Sequence, residues 1–519
     1  MHGTVSAPHK ELEVKLALAP AHLPALKKLP LFRAAKAKPA RSTEVTVYFD
    51  TDKHKLRRSG LMLRVRRRGR RYVQTVKATG NSGVFQRDEW ETEIAGKGPN
   101  LDKGAGTALE PLLSGKFRQR LKPLFETRVR RTVYPLVDGA HAMALVVDQG
   151  TIDAGKRSQP LCEIELELER GTAADLFDVA RQISQAVPAQ LALKSKSERG
   201  YEIADDETER PVKAAPIDLP AATTARDAFR VIGLACLKQI VANEPALVKS
   251  DPEGVHQMRV GLRRLRAAMS LFAALLNDAQ SEAIKPRLKW LAEELGPARE
   301  LEVLVNRVVA PIKRSHRRWR GMTALSRELA GRRDAAIARA QEAVKSVRFR
   351  ALTIDIAAWL EAGLWSHPQD DLVADRGVLP ADAFASEQLA QRWRKVRKKG
   401  KALARLDAHS RHKLRIHAKK LRYAAEFFAA LFPAKRALKR RKLFLRALER
   451  LQDELGDLND IAVHEKRIAA LGIGRRRSNP NRVFAAGLLT GRENARAEAA
   501  LAAAADAYDD LAKVKLFWH

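Results

Sequence analysis

Hydrophobic side chains recur with a period of two up to about residue 203, and with a helical period after about residue 224. A chain with two such periods builds a sheet first and a helical assembly second, so the expected class is α+β. Within the first half, "ELEVKLAL" (11–18) puts Glu11, Glu13 and Lys15 on one strand face and Leu12, Val14, Leu16 and Leu18 on the other. "LMLRVRRR", "ETRVRRTVYPL" and "CEIELELER" repeat the pattern. Arg64 and Arg66 share a face, as do Arg128 and Arg130, and as do Glu163, Glu165 and Glu167; Lys77, Glu89 and Glu91 add to the set. An ordinary wet sheet face mixes Thr, Ser, Gln and Lys, whereas here nearly every strand carries Arg, Lys or Glu. A closed antiparallel tunnel with a charged lumen explains this best.

Such a lumen suits one kind of ligand. Guanidinium forks and ammonium groups bind phosphate oxygens. Carboxylates do not, but they hold Mg²⁺ or Mn²⁺, which bridges phosphates. The two sets together point to a metal–polyphosphate site; the alternative is a network of lumen salt bridges.

The polar, Pro/Ala-rich stretch around 204–223 reads as a linker, dividing the chain into domains over 9–203 and 224–513. The second domain repeats itself. "HQMRVGLRRLR" (256–266) matches "HKLRIHAKKLR" (412–422), and "LAEELGPARELEVL" (291–304) matches "LQDELGDLNDIAVH" (451–464). The offset grows by four residues between the two matches, which a loop is expected to absorb. Two pseudo-symmetric helical units are implied. On a helix, His256, Arg259, Arg263 and Arg266 form one stripe, and His412, Arg415, Lys419 and Arg422 another, with Arg264 and Lys420 completing the basic pairs. Neither stripe contains an acid and aromatic interleaving is sparse, so phosphate binding without base reading fits better than single-strand recognition.

The net charge of +35 implies a polyanionic partner, since both halves share the excess. Charge alone also allows nucleic acid, but no base-reading motif is present. Cys162 and Cys236 are too few and too far apart for a disulfide framework, which fits a reducing cytoplasm. No apolar run near 18–20 residues and no signal peptide stands out, so a protein without a membrane span is expected. His316 and His367 read as ordinary surface residues, and "LFWH" (516–519) as core packing, a partner contact or a frayed end.

With "YFDT", "QTVK", "RDEWE", "VVDQG" and "KSKSERGY" following "ELEVK" in order, residues 9–203 resemble the CYTH domain, the triphosphate tunnel metalloenzymes. The resemblance implies an eight-stranded antiparallel tunnel that hydrolyses triphosphates or, in one branch, cyclises ATP. By matching position it implies that Glu11, Glu13, Glu163 and Glu165 bind divalent metal. It implies that Lys15, Arg64, Arg66, Lys77, Arg128, Arg130 and Lys194 grip the triphosphate, and that Glu89 and Asp148 are lumen acids orienting basic side chains or a water. Residues 224–513 resemble the CHAD domain, which implies inorganic polyphosphate as ligand. The expected function is metal-dependent hydrolysis of inorganic triphosphate by a cytoplasmic protein, at polyphosphate granules in one variant. Alternatives are a granule-associated binding protein with little turnover, a nucleoside or thiamine triphosphatase, and an adenylate cyclase of the same tunnel fold.

Overall fold

The computed structural model describes residues 9–34, 38–78, 85–139, 141–207, 210–315, 320–368, 370–469 and 480–518. The chain divides into two compact units. The first takes residues 1–212 together with 237–246 and 344–364; the second takes 213–236, 247–343 and 365–519.

In the first unit, nine strands follow in order: β1 (His9–Ala17), β2 (Ala40–Asp50), β3 (Leu61–Arg68), β4 (Arg71–Ala78), β5 (Gln86–Ile94), β6 (Lys122–Asp138), β7 (His141–Ala154), β8 (Arg157–Arg170) and β9 (Gln190–Leu191). The spatial order is β5-β4-β3-β2-β6-β7-β8-β1-β9. β1 pairs with β8 through residues 13–17 and with β5 through residues 9–12, so the antiparallel pairings run round a ring of eight strands. The two-residue β9 is an addition to β1.

The ring is charged inside, and its outer face is apolar where a helix covers it. Val14 and Leu16 of β1 and Ile164 and Leu166 of β8 are fully buried, and they lie beneath α1 (Ala173–Ala186), which supplies Leu176, Phe177, Ala180 and Ile183. Because side chains alternate, covering one face with a helix turns the other face inward. A helix α2 (Lys196–Ala204) starts at a capping box, Ser195 with Glu198, and is anchored by Tyr201, whose hydroxyl donates to Asp50 at 2.7 Å inside a buried aromatic cluster. β6 and β7 approach so closely at Gly150 that a Cβ there would lie 1.8 Å from the carbonyl oxygen of Arg128.

Two segments that the periodicity assigns to the helical half belong to this first unit: the end of α3 (Ala225–Ala242) and all of the later helix Val347–Ala362. The latter packs on α1, where Arg181 reaches Asp355 at 2.8 Å and Arg350 donates to the carbonyl of Ser184 at 3.2 Å. The stretch Ala225–Val248 is long and apolar enough to cross a membrane, contrary to the expectation that no such run exists; 67% of its most apolar window is buried within the fold, as for a core helix.

The second unit shows the repeat directly. Its first copy holds α4 (Pro252–Leu271) and α5 (Ala279–Val303), with the helix Val347–Ala362, labelled α6, intervening in sequence before the second copy, α7 (Ala408–Phe427) and α8 (Lys435–Ala469); α9 (Pro480–Lys513) follows. Asp251 caps α4 and Asp407 caps α7. The starts of α4 and α7, and of α5 and α8, share one offset, so the four extra residues of the second copy lie inside α8 rather than in a loop. Four residues are close to one helical turn, which carries the buried face on with little rotation. The terminal Phe517 and Trp518 are buried against Phe444, which settles that segment as core packing; His519 lies outside the described residues.

Candidate functional site

The inward faces of the strand ring enclose a cavity of about 220 Å³. The ladder dictates who meets whom, because directly opposed residues of antiparallel strands share a face. Lys15 lies opposite Glu165, and Glu13 opposite Glu167. Arg131, Asp148 and Glu163 form one row across β6, β7 and β8. On the other wall, Lys77 faces Glu89 across β4 and β5, and Thr46 and Tyr48 face Arg66 and Arg64 across β2 and β3.

The acidic side is densely paired. Lys15 contacts Glu165 at 2.6 Å and also Glu13. Arg131 makes a bidentate contact with Asp148 at 2.9 and 2.7 Å and reaches Glu165 at 2.7 Å. Lys196, the first residue of α2, contacts Asp148 and Glu165 at 2.8 Å each and also Glu163. Burial opposes the charged forms of Lys15, Arg131, Asp148, Glu165 and Lys196, yet the partners win. Lys196 and Arg131 hold Asp148 below its ordinary range, and Lys15, Lys196 and Arg131 hold Glu165 well below its own. In return, Glu13 and Glu165 keep Lys15 above its ordinary value, and Glu163 and Glu165 do the same for Lys196.

The basic side is unevenly compensated. Arg64 contacts Glu89 at 3.1 Å and Lys77 contacts it at 2.7 Å, while Glu44 serves Arg68 at 3.0 Å and Arg66 at only 3.6 Å. Burial, then Arg64 and Arg131, push Arg66 down to about 10. The Nε atoms of Arg64 and Arg66 are buried without a hydrogen-bond partner. Buried donors of this kind call for an acceptor, and an anion supplies both acceptor and charge.

Two carboxylate groups fit a hard divalent cation. Glu13, Glu165 and Glu167 offer oxygens within 4.8 Å of one another, as do Asp148, Glu163 and Glu165. Glu165 belongs to both.

Of the residues expected in the lumen, Glu13, Lys15, Arg64, Arg66, Lys77, Glu89, Asp148 and Glu165 line the cavity, and Glu163 joins the second carboxylate group. The side chain of Glu11 lies outside the described residues. Three expectations need correction. Arg128 and Arg130 are exposed on the outer face, Arg128 held by Glu126 at 2.7 Å, and the β6 arginine that points inward is Arg131. Lys194 pairs with Glu202 at 2.6 Å away from the tunnel, and its place is taken by Lys196. The hairpin "VDGAH" carries the missing signal: pairing Asp138 with His141 places Arg131 opposite Asp148. Capping-box spacing at Ser195 and Glu198 likewise marks Lys196 as a helix start. Glu91, read from the strand pattern with Lys77 and Glu89, lines the cavity as well, and so do Glu44 and Arg68, which the pattern does not single out.

In the second unit the basic residues converge across the repeat. His256, Arg259 and Arg263 of α4 act on one another and on Arg299 of α5, and Arg263 acts in turn on Arg415 and Lys419 of α7. Burial, then Arg299, lowers His256 to about 4; burial, then Arg263, lowers Arg259 to about 10; burial, then Arg415 and Arg263, lowers Lys419 to about 7. The Nε atoms of Arg263 and Arg415 are buried without a partner. His412 is exposed at the edge, bonded to Asn459 at 2.8 Å. Arg422 borders the cluster, acting on Lys419 while Glu426 holds it at 2.9 Å. Arg264 stands apart, buried against Glu426 (2.8 Å) and the Phe427 ring, and Lys420 neighbours Arg392 and Arg266 instead.

A family model described as CYTH domain matches residues 9–201, and one described as CHAD domain matches residues 232–469. Among curated proteins the chain is similar to an inorganic triphosphatase of Haemophilus influenzae, 30% identical over 160 residues, which are 30% of this chain and 44% of that protein. The chain therefore spans less than half of that relative's length. Among solved structures it is similar to a CHAD domain from the plant Ricinus communis, with a TM-score of 0.51 and 29% identity, covering 59% of this chain and 98% of that one. It is also similar to a putative adenylyl cyclase from Hippeastrum, with a TM-score of 0.30 and 18% identity, covering 37% of this chain and 95% of that one.

Proposed function

We propose, from the premise that this chain joins a CYTH domain to a CHAD domain, that the tunnel hydrolyses inorganic triphosphate to pyrophosphate and phosphate while the helical unit binds inorganic polyphosphate. The observation that carries the reading is one cavity in which buried arginines with unmet donors face two carboxylate groups that share Glu165. Glu13, Glu165 and Glu167, with Asp148 and Glu163, would hold Mg²⁺ or Mn²⁺. When bound, such a cation neutralises phosphate charge and activates the phosphorus toward water. Arg64, Arg66 and Arg131 bind the chain of phosphates by paired N–H donors, and Lys77 neutralises the charge that builds on the leaving pyrophosphate. Glu89 aims Arg64 and Lys77, and Asp148 aims Arg131, which makes both positioning residues rather than proton carriers.

Substrate choice follows from the lining. Tyr48 is the one aromatic ring among its described residues, and charged groups surround it, so a nucleobase or thiazole finds no apolar slot. In the helical unit, Arg259, Arg263, Arg415 and Lys419 supply the phosphate-binding charge on which the proposed location, the cytoplasm or polyphosphate granules, rests. The test is phosphate release from tripolyphosphate, ATP, thiamine triphosphate and long polyphosphate with Mg²⁺ or Mn²⁺. Metal-dependent turnover is expected to be fastest on tripolyphosphate. Faster turnover of ATP overturns the substrate assignment, and tight polyphosphate binding without turnover favours the granule-associated alternative.

A further inference from the structure

A second basic feature lies apart from both sites above. α8 is segregated by charge: Lys435–Arg450 holds eight Lys or Arg against Glu449, whereas the acids Asp453, Glu454, Asp457, Asp460 and Glu465 all follow. The basic end runs beside the C-terminal end of α9, and the two enclose a groove of about 740 Å³. α8 lines it with Arg436, Lys439, Arg440, Arg446 and Arg450, and the end of the chain adds Lys513 and Lys515. Asp510 is the one acid in the described lining, and it is taken by Arg450. Leu443, Ala447 and Val514 make an apolar floor.

The groove shares no residue with the basic stripes. α8 offers its other side to α7, where Gln452 donates to the carbonyl of Ala418 at 3.1 Å and Asn459 meets His412. At 1.5 Å per residue, Arg436 to Arg450 spans about 21 Å. A row of cations that long in a concave seat matches an extended anion rather than a compact one. No aromatic side chain is among its described lining residues, so nucleobases have nothing there to stack on. Being concave, it fits a chain better than a flat lipid surface.

We propose that the α8–α9 groove is a second binding site for a linear chain of phosphates, so that one helical unit holds polyphosphate at two separate places. This rests on the reading that the helical unit binds polyphosphate, and it adds a site which that reading does not need. Two seats raise the effective concentration of a chain long enough to reach both, giving avidity without tighter individual contacts.

The test is calorimetric titration of the full chain with long-chain polyphosphate, comparing the parent, the groove variant K439E/R446E/K513E and the stripe variant R259E/R415E. The groove substitutions fall on exposed side chains, and circular dichroism confirms that each variant is folded. The parent is expected to show two classes of site, and each variant to retain one. In the groove variant the slope of log affinity against log salt should flatten by about 2, at roughly 0.7 per cation lost. A groove variant with the parent's stoichiometry and salt slope overturns the proposal. So does a stripe variant that binds nothing, an outcome that leaves the stripe reading intact. A stripe variant that binds like the parent, beside a groove variant that binds nothing, supports the groove and overturns the stripes. Single-stranded RNA and phosphatidylserine vesicles are titrated alongside; equal affinity of either through Lys439, Arg446 and Lys513 overturns the assignment to polyphosphate.

Discussion

Lys419 gives the proposed polyphosphate binding a pH dependence whose sign follows from its surroundings. Burial, then Arg415 and Arg263, lowers its ammonium from the ordinary 10.5 to about 7, with Asp460 a partial counterweight. A bound phosphate chain reverses the local field and restores the proton. Affinity is therefore full below about pH 7, and it falls as pH rises from there toward the ordinary lysine range. One proton taken up per chain bound limits the slope to tenfold per pH unit, about 1.4 kcal/mol. Between pH 7 and 9 the loss can reach about a hundredfold. Without ligand the sign inverts: from about pH 7 to 10.5 the unfolded lysine holds a proton that the folded one lacks, so stability rises with pH. The assay is calorimetry against long chains, whose internal phosphates stay ionised throughout, in buffers of different ionisation enthalpy to count protons. Lys419→Met should bind more weakly at pH 6.5 yet show a flat profile from pH 7 to 9. A flat parent profile, or an unchanged slope in Lys419→Met, refutes the argument.

Four further outcomes follow. Glu165→Gln removes the carboxylate common to both metal groups and should cut metal-dependent turnover by at least about 100-fold while weakening Mn²⁺ binding in calorimetry; turnover within about threefold of the parent refutes the site. Arg131→Ala should lower kcat/KM on tripolyphosphate by about 100-fold and Arg128→Ala by less than about twofold; the reverse order means that β6 is out of register. Gly150→Ala drives a Cβ into the Arg128 carbonyl and should cost about 3 kcal/mol or more, read as a fall in Tm; an unchanged Tm contradicts the strand spacing. Burial pushes the thiols of Cys162 and Cys236 up to about 11, so both are neutral at pH 7, and replacing them with Ser and Ala should leave turnover within a few-fold; a large loss in folded protein reveals a thiol role.

The sequence carried the alternation that makes the tunnel and the residues of its earliest strands. Glu13, Lys15, Arg64, Arg66 and Lys77 lie on short strands with clear phase, and they point where alternation puts them. β6 is different. "TRVRR" offers arginines on both faces, and only pairing with β7 decides that Arg131 turns inward. "KSKS" offers two lysines two residues apart, and the helix cap at Ser195 decides for Lys196. In the helical unit the wheel found the stripes but not their partners: Glu426, far from Arg264 in sequence, draws that arginine out of the set, and Arg299 enters it from the next helix. Such choices are tertiary, and a periodicity does not encode them.

The membership of residues 237–246 and 344–364 in the first unit sets an order of events during synthesis. The ribosome makes the whole strand ring by residue 191, but the helix that covers α1 arrives roughly 150 residues after the first segment ends. At about 5–20 residues per second that is a wait of roughly 10–30 s. During it, the seat for α6 on α1 is bare, including the future partners of Asp355 and Arg350. The first unit is thus completed by the chain that also begins the second, and a ribosome that stalls between them leaves a tunnel with an open flank for chaperones to hold or proteases to find.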